Sequence, residues 1–147
     1  MNVFTEKAVV FKNVIDNFDA IVFQVILSQE NYILDLVRDE QLYQGLKADG
    51  SQIRPAYTPT TKAIKRAKGQ PTDRVTWRDT GKLYKSLQLK TGMNEFEIEA
   101  LDSKIGKLTR KYGNDVLGLT DDSIAEITNF IRPLVINELL EKLEING

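Results

Sequence analysis

The sequence predicts an α+β fold: an antiparallel sheet of three to five strands covered by a long N-terminal helix and a kinked C-terminal helix, with a protruding basic arm. Apolar residues recur every three or four positions between residues 3 and 26 and again between 124 and 143, which is the spacing of one helix face. Residues 87–100 instead alternate between apolar and polar, as strands do. The length of 147 residues fits a single domain over 1–147 with an ordinary core.

The composition excludes several classes of site. The chain contains no cysteine and no histidine, so it has no disulfide framework, no Cys-based metal site, no thiol nucleophile and no histidine base. No apolar run approaches the ~18 residues of a membrane span, and acids interrupt the apolar positions of the N-terminal segment. We therefore expect neither a membrane partner nor a signal peptide.

The net charge of −1 hides a strong asymmetry along the chain. Residues 54–90 contain ten basic residues and two acids, a net charge of +8 that leaves −9 for the rest. A basic surface on an acidic body is typical of a protein that binds nucleic acid or the acidic face of another copy. A solvated basic surface with no partner is the plainer alternative.

The first 27 residues are predicted to form the N-terminal helix. Its apolar stripe consists of Phe4, Ala8, Phe11, Ile15, Phe18, Val22 and Val25. Such a stripe covers the sheet of its own domain or packs against another subunit. Ser28 is a plausible break, after which apolar residues continue at helical spacing through Val37.

Residues 40–78 are predicted to form the basic arm, an extended insertion. Asp49-Gly50 lies between two short apolar runs and indicates a tight turn in an irregular β-arm. Thr58 and Pro59 then begin a short surface helix that ends at Gly69. If residues 74–78 are extended, Val75 and Trp77 lie on one side of the chain, opposite their neighbours.

A helical turn and a hairpin are predicted over residues 79–100. Asp79-Thr80-Gly81 is expected to cap the turn, and Trp77 and Tyr84 to pack beneath or beside the hairpin. The two strands place one set of side chains on a buried face: Leu87, Leu89, Phe96, Ile98 and Ala100. Three glutamates, Glu95, Glu97 and Glu99, then form a row on the opposite face of the second strand.

Two helices are predicted after the hairpin. A short one around Ile105, Leu108 and Tyr112 ends at Gly113. Thr120 then caps the last helix, over residues 120–145, in which Pro133 must produce a kink or a split.

Two enzyme-like patterns have plainer explanations. Asp-Thr-Gly is the motif of aspartic proteases, in which two carboxyls share a proton in a desolvated cleft, but here Arg78 and Lys82 flank it. Asp115, Asp121 and Asp122 resemble a divalent-ion cluster, yet acids in a first helical turn usually stabilise the helix dipole. We assign no catalytic, cofactor-binding or metal-binding residue and do not expect an enzyme.

The basic stretch 54–90 also suggests a nucleic-acid-binding accessory protein. Its lysines and arginines would contact phosphates while Trp77 and Tyr84 stack on bases. Specific nucleic-acid binding is not expected, because no recognised nucleic-acid motif accompanies the stretch.

The segment VTWRDTGKLYKSLQLK resembles the tail completion and head-tail joining (neck) proteins of tailed bacteriophages. The run from LYQGLKADG through KGQPTDRVTWRDTG to KYGNDVLGLT resembles phage or prophage proteins of Bacteroidetes-type hosts. The resemblance rests on a Thr-Gly-x-Leu-x-x-Ser-Leu/Ile pattern, followed by a second strand, a Tyr-Gly element and a terminal helix with a central proline. The pattern residues here are Thr80, Gly81, Leu83, Ser86 and Leu87.

This resemblance implies a structural virion protein, assembled in the cytoplasm of a bacterial host. It would form a homo-oligomeric ring, often a hexamer in this family, and contact a portal (connector) or tail-tube protein. Asp79, Thr80, Gly81, Leu83 and Ser86 would then be the structural motif. The subunit contacts that we expect in such a ring are Arg66, Lys68, Arg74, Arg78, Glu95, Glu97 and Glu99.

Overall fold

The computed structural model describes residues 17–92 and 95–144 and has an α+β fold. Over those residues the chain forms two compact units, one from residues 17–30 and 125–144 and the other from residues 31–124. The helices are α1 (Phe18–Ser28), α2 (Glu30–Asp35), α3 (Pro59–Ala67), α4 (Lys82–Lys85), α5 (Ile105–Tyr112) and α6 (Asp121–Glu144). A π-helical segment covers Leu36–Leu42, and the strands are β1 (Leu87–Gly92) and β2 (Glu95–Ala100).

Helix α1 confirms the end of the predicted N-terminal helix, whereas residues 1–16 of that prediction lie outside the described residues. Its buried face differs from the predicted stripe. Val25 is buried as expected, but Phe18 is 45% exposed, and the buried residues Ile21 and Ile26 were not in the stripe. Apolar residues occur on several sides of this helix, so their spacing alone does not identify the buried face.

Helix α6 continues through Pro133 without interruption, so the helix does not split there. Its buried residues Ile127, Ile131 and Val135 confirm the predicted stripe, although Ile124 at its start is 47% exposed. Thr120 caps the helix as predicted, because its Oγ1 accepts a hydrogen bond from the Ser123 N–H at 3.1 Å.

The hairpin of β1 and β2 confirms the clearest prediction in residues 31–124. The strands are antiparallel, with Leu87 opposite Ala100 and Leu89 opposite Ile98. Leu87 and Leu89 are buried, while Glu95 and Glu97 on the other face are exposed. The period-two pattern therefore predicted both the pairing and the buried face.

The predicted count of three to five strands is wrong for the residues that the structure describes, which contain two strands. The expected β-arm forms a single bridge, between Leu46 and Gln52, because Gly45 and Gly50 both have positive φ and turn the chain. Residues 74–78 do not form a strand, since Trp77 has a φ of +56° and breaks the extended conformation.

The structure matches the predicted protruding arm, residues 40–78, only in part. Helix α3 begins with Thr58 as N-cap and Pro59 at its first position, as predicted, and has no buried residue. The segments on either side of α3 are not free, because Ile53, Val75 and Trp77 are all buried. The segment 40–78 therefore supplies part of the core of its unit.

The π-helical segment had no counterpart in the sequence prediction. Its buried residues are Leu36, Val37, Gln41 and Leu42, two pairs that lie five positions apart. That separation is the i→i+5 repeat of a π-helix, whereas the prediction used α-helical spacing. The buried Gln41 side chain donates to the Gly118 carbonyl at 2.9 Å and accepts from the Thr120 N–H at 3.0 Å. It thereby holds the loop before α6 against this segment.

No single described helix is long and apolar enough to cross a membrane. The bent pair 18–28 and 30–42 reaches that length and composition only when its two parts are combined across a 60° bend.

Gly81 provides a test of the local backbone. Its φ is +88°, and a Cβ added there would meet no atom within 4 Å, so only the left-handed conformation opposes a side chain. We expect Gly81→Ala to lower the free energy of unfolding by about 1–2 kcal/mol. In the matched control Gly106→Ala, an open helical site in α5, stability should stay equal or rise by up to about 1 kcal/mol. Urea unfolding of both variants measures the difference, and equal effects would contradict this account.

Candidate functional site around Trp77

The site is built around the peptide groups of Thr76, which two tyrosines hold from opposite ends of the residue. The Thr76 N–H donates to the Tyr57 hydroxyl at 3.0 Å, and the Tyr84 hydroxyl donates to the Thr76 carbonyl at 2.6 Å. The Thr76 side chain also accepts from the Arg78 N–H at 3.2 Å. Burial raises the pKa of Tyr84, so its hydroxyl stays protonated and remains a donor.

Trp77 follows in a left-handed conformation that is rare for a bulky residue. Its φ is +56°, and the side chain is only 6% exposed. The indole lies against Tyr112, with 6.1 Å between the ring centroids and 54° between the ring planes. Trp77 Nε1 is buried without a hydrogen-bond partner among the described residues. Strained residues and unsatisfied buried donors both concentrate at functional sites.

Asp79, Thr80 and Gly81 form the turn that follows. Thr80 Oγ1 accepts from the Lys82 N–H at 3.4 Å, and the Gly81 carbonyl accepts from the Lys85 N–H at 3.1 Å. The Asp79 carboxylate accepts from Lys68 Nζ at 2.6 Å, a hydrogen bond that lowers the pKa of Asp79 below its usual value. A charged, paired carboxylate is the opposite of the shared-proton pair in an aspartic protease.

Leu83 and Ser86 connect this turn to the hairpin. Leu83 is buried, and its carbonyl accepts from Ser86 Oγ at 2.7 Å. Ser86 Oγ in turn accepts from the Asp102 N–H at 3.0 Å, while the Ser86 carbonyl accepts from the Leu101 N–H at 3.2 Å. The serine therefore joins the start of β1 to the chain that leaves β2.

Around Trp77 lies a cavity of about 140 Å³ that is partly open to solvent. Apolar and aromatic side chains form most of its surface: Tyr57, Val75, Trp77, Leu83, Leu108 and Tyr112. Four cations and one carboxylate complete the wall: Lys65, Arg78, Lys82, Lys104 and Asp79. The cavity is therefore apolar inside and basic at its rim.

The cations at the rim differ in the hydrogen bonds, ring contacts and ion pairs that they form. Lys65 Nζ donates to the Arg78 carbonyl at 2.7 Å and lies 5.1 Å from the centre of the Tyr57 ring. Within the described part of the chain, Arg78, Lys82 and Lys104 form no ion pair. Arg78 lies 5.9 Å from the centre of the Tyr84 ring, a contact that leaves its charge unneutralised. An anion can therefore still pair with these three side chains.

A second surface of the same unit is acidic. A groove of about 770 Å³ runs beside β2 and is lined by that strand, by Ile105 and Thr109 of α5, and by residues of the 114–119 loop. Phe96 and Ile98 contribute apolar surface, and Glu95, Glu97 and Glu99 contribute charge. Glu99 accepts a hydrogen bond from Gln88 across the ladder. This groove and the Trp77 cavity share no lining residue.

The structure brings some of the predicted interface residues together and separates others. Lys68 is bonded to Asp79, and Arg78 lines the cavity wall together with Asp79. Arg66 is exposed on α3. Arg74 is used internally, because its Nε donates to the Tyr43 carbonyl at 2.6 Å and its guanidinium lies 5.0 Å from the Tyr43 ring centre. The role of these residues in subunit contacts stays a prediction.

Three acids whose pattern resembles a divalent-ion cluster have separate roles in the structure: Asp115, Asp121 and Asp122. Asp115 accepts from Lys47 Nζ at 2.9 Å, and this hydrogen bond lowers the pKa of Asp115. Asp121 and Asp122 lie in the first turn of α6. In residues 17–92 and 95–144 no group of three or more acids is placed to hold a metal ion.

Sequence reasoning missed Tyr57, Lys104 and Tyr112 as members of the Trp77 site. They come from three separate parts of the chain, and the sequence contains no spacing signal that links them. Only the single tryptophan within a basic stretch pointed to this region.

Comparisons with known proteins return no match, whether against protein-family models, curated proteins or solved structures.

Removal of the Tyr57 hydroxyl tests how much its hydrogen bond to the Thr76 N–H stabilises the fold. Tyr57→Phe leaves the buried Thr76 N–H without its acceptor, so we expect the free energy of unfolding to fall by about 1–3 kcal/mol. The control is Tyr43→Phe, which keeps the ring beside Arg74 and should change stability by less than about 0.5 kcal/mol. Chemical denaturation measures both, and a neutral Tyr57→Phe variant would show that the hydroxyl does not support the site.

Proposed function

We propose that this chain is a structural virion protein of a tailed phage, and that its copies assemble into a ring at the head-tail junction or at the tail end. One observation carries the proposal: among the described residues no strand pairs with the outer side of β2, which lies beside a groove and bears a row of glutamates. The same unit, residues 31–124, also contains the basic helix α3.

The short sheet supports a role in assembly. Two strands alone are marginally stable in water and usually need a helix or further strands beside them. Among the described strands, β2 pairs with β1 alone. Its other side can accept a segment from a second copy by strand addition, in which main-chain hydrogen bonds supply much of the affinity.

The charges support a contact between different surfaces of two copies. Glu95 and Glu97 are exposed on β2, and Arg66 is exposed on α3. A basic surface of one subunit that meets the acidic strand of the next makes a head-to-tail contact. Such contacts produce rings when the rotation between subunits closes.

The position in the virion is supported by the resemblance to neck proteins. The residues of the shared pattern have structural roles here: Gly81 and Thr80 form the turn, Leu83 is buried, and Ser86 joins the two strands. In this proposal the partner of the ring is a portal (connector) or tail-tube protein, and the final location is the virion.

The alternative is a nucleic-acid-binding accessory protein that uses residues 54–90. Exposed cations such as Arg66, Arg78 and Lys82 keep phosphate contacts available to it. Base stacking is not available, because Trp77 and Tyr84 are 6% and 7% exposed. Tight binding to a labelled duplex that weakens steeply between two salt concentrations would favour this alternative.

The assembly proposal is tested by the mass of the chain in solution. We expect oligomers at about 50 mM salt that dissociate toward monomers at about 500 mM, since exposed charges are screened within a few ångströms at high salt. Glu97→Lys should raise the concentration at which half of the chain is assembled by about fivefold to tenfold. The matched control is Glu126→Lys, which makes the same charge change at an exposed position of α6.

Sedimentation velocity at both salt concentrations provides the masses. A chain that stays monomeric at every concentration and salt level would overturn the proposal. Equal weakening by Glu97→Lys and Glu126→Lys would show that net charge, rather than the acidic strand, controls assembly.

A further inference from the structure

We propose that the Trp77 cavity is a binding site for a small organic acid, a carboxylate carried on a compact apolar or aromatic body. This site does not depend on the assembly proposal, because none of its lining residues lines the groove beside β2. Three independent features of the cavity point to such a ligand: an unsatisfied donor, unpaired cations and an apolar interior.

The first feature is the buried indole. Trp77 lines the cavity, is 94% buried and has no acceptor for its Nε1–H in the described part of the chain. A buried donor without a partner costs free energy, so native structures rarely keep one without a reason. Trp77 also adopts its φ of +56° while its neighbour Thr76 is fixed by two tyrosine hydroxyls. The strained backbone therefore holds a residue of the cavity wall whose buried indole donor is unpaired among the described residues.

The second feature is the positive charge at the rim. Arg78, Lys82 and Lys104 line the cavity and are exposed to solvent, and they form no ion pair within residues 17–92 and 95–144. The one carboxylate in the wall, Asp79, is bonded to Lys68 at 2.6 Å and is also attracted by Lys104, so the four cations of the wall still outnumber its acids. An anion at this rim gains charge-assisted hydrogen bonds.

The third feature distinguishes an organic acid from a simple anion. Tyr57, Val75, Leu83, Leu108 and Tyr112 surround the space together with the indole, so most of the wall is apolar. A volume of about 140 Å³ is close to that of a cavity that takes benzene, about 150 Å³, so it suits a ligand of one small ring whose carboxylate lies at the open rim. Inorganic phosphate would satisfy the rim and leave the apolar surface in contact with water.

The single tryptophan makes the site directly observable. In a ¹⁵N–¹H correlation spectrum of the full chain, the only indole signal belongs to Trp77. We expect phenylacetate to shift that signal in a saturable way at millimolar concentrations, because the ligand contacts the indole ring in the cavity wall. Phenylacetamide, which has the same shape without the charge, and inorganic phosphate, which has charge without the apolar body, should each bind at least about tenfold more weakly.

A matched pair of variants tests the rim. Lys104→Gln removes an unpaired cation of the wall and should raise the dissociation constant for phenylacetate by about threefold to tenfold. Lys107→Gln makes the same change at an exposed position of α5 outside the wall and should leave it unchanged. Both positions are exposed, so both variants are expected to fold.

The results of these titrations distinguish the proposed site from its alternatives. Saturable binding that needs both the carboxylate and Lys104 supports the site. Absence of saturation up to about 20 mM phenylacetate, equal binding of phenylacetamide, or equal binding of phosphate would each overturn the proposal. A tighter, saturable response to a short oligonucleotide would also overturn it, in favour of a nucleic-acid site.

Discussion

The conformation of the middle of this chain depends on the peptide groups of one residue, Thr76, which are fixed between the hydroxyls of Tyr57 and Tyr84. These bonds connect the segment before α3 to helix α4. With Thr76 fixed, the next residue, Trp77, turns into a left-handed conformation and its side chain enters the core beside Tyr112. The cavity, its basic rim and the turn that leads into the hairpin all follow from this arrangement.

The sequence predicted those features that depend on local patterns. Alternating residues in 87–100 predicted the hairpin and its buried face, and Thr58 with Pro59 predicted the start of α3. Features that depend on distant contacts were missed. If residues 74–78 were extended, Val75 and Trp77 would lie opposite polar neighbours, yet Thr76 between them is also buried, since the hydroxyls of Tyr57 and Tyr84 satisfy its backbone. The strand count was too high because the expected β-arm forms a single bridge, between Leu46 and Gln52.

Residues 31–124 carry two surfaces of opposite charge that share no lining residue. The acidic one is a strand whose outer side pairs with no other strand in residues 17–92 and 95–144, a geometry suited to main-chain contacts with another chain. The basic one surrounds a small apolar cavity, a geometry suited to a ligand of limited size. The groove and the cavity share no lining residue, so Glu97→Lys alters the acidic surface and leaves the cavity wall unchanged, while Lys104→Gln does the reverse.

The central claim is that a second copy covers the outer side of β2. Hydrogen exchange of the backbone amides, followed in dilute and in concentrated low-salt solutions, tests it most directly. We predict that amides of Glu95–Ala100 exchange more slowly in the concentrated solution, while the exposed amides of the 49–51 turn exchange at the same rate in both. Identical exchange of the β2 amides at both concentrations, in a sample that has assembled by mass, would contradict the claim.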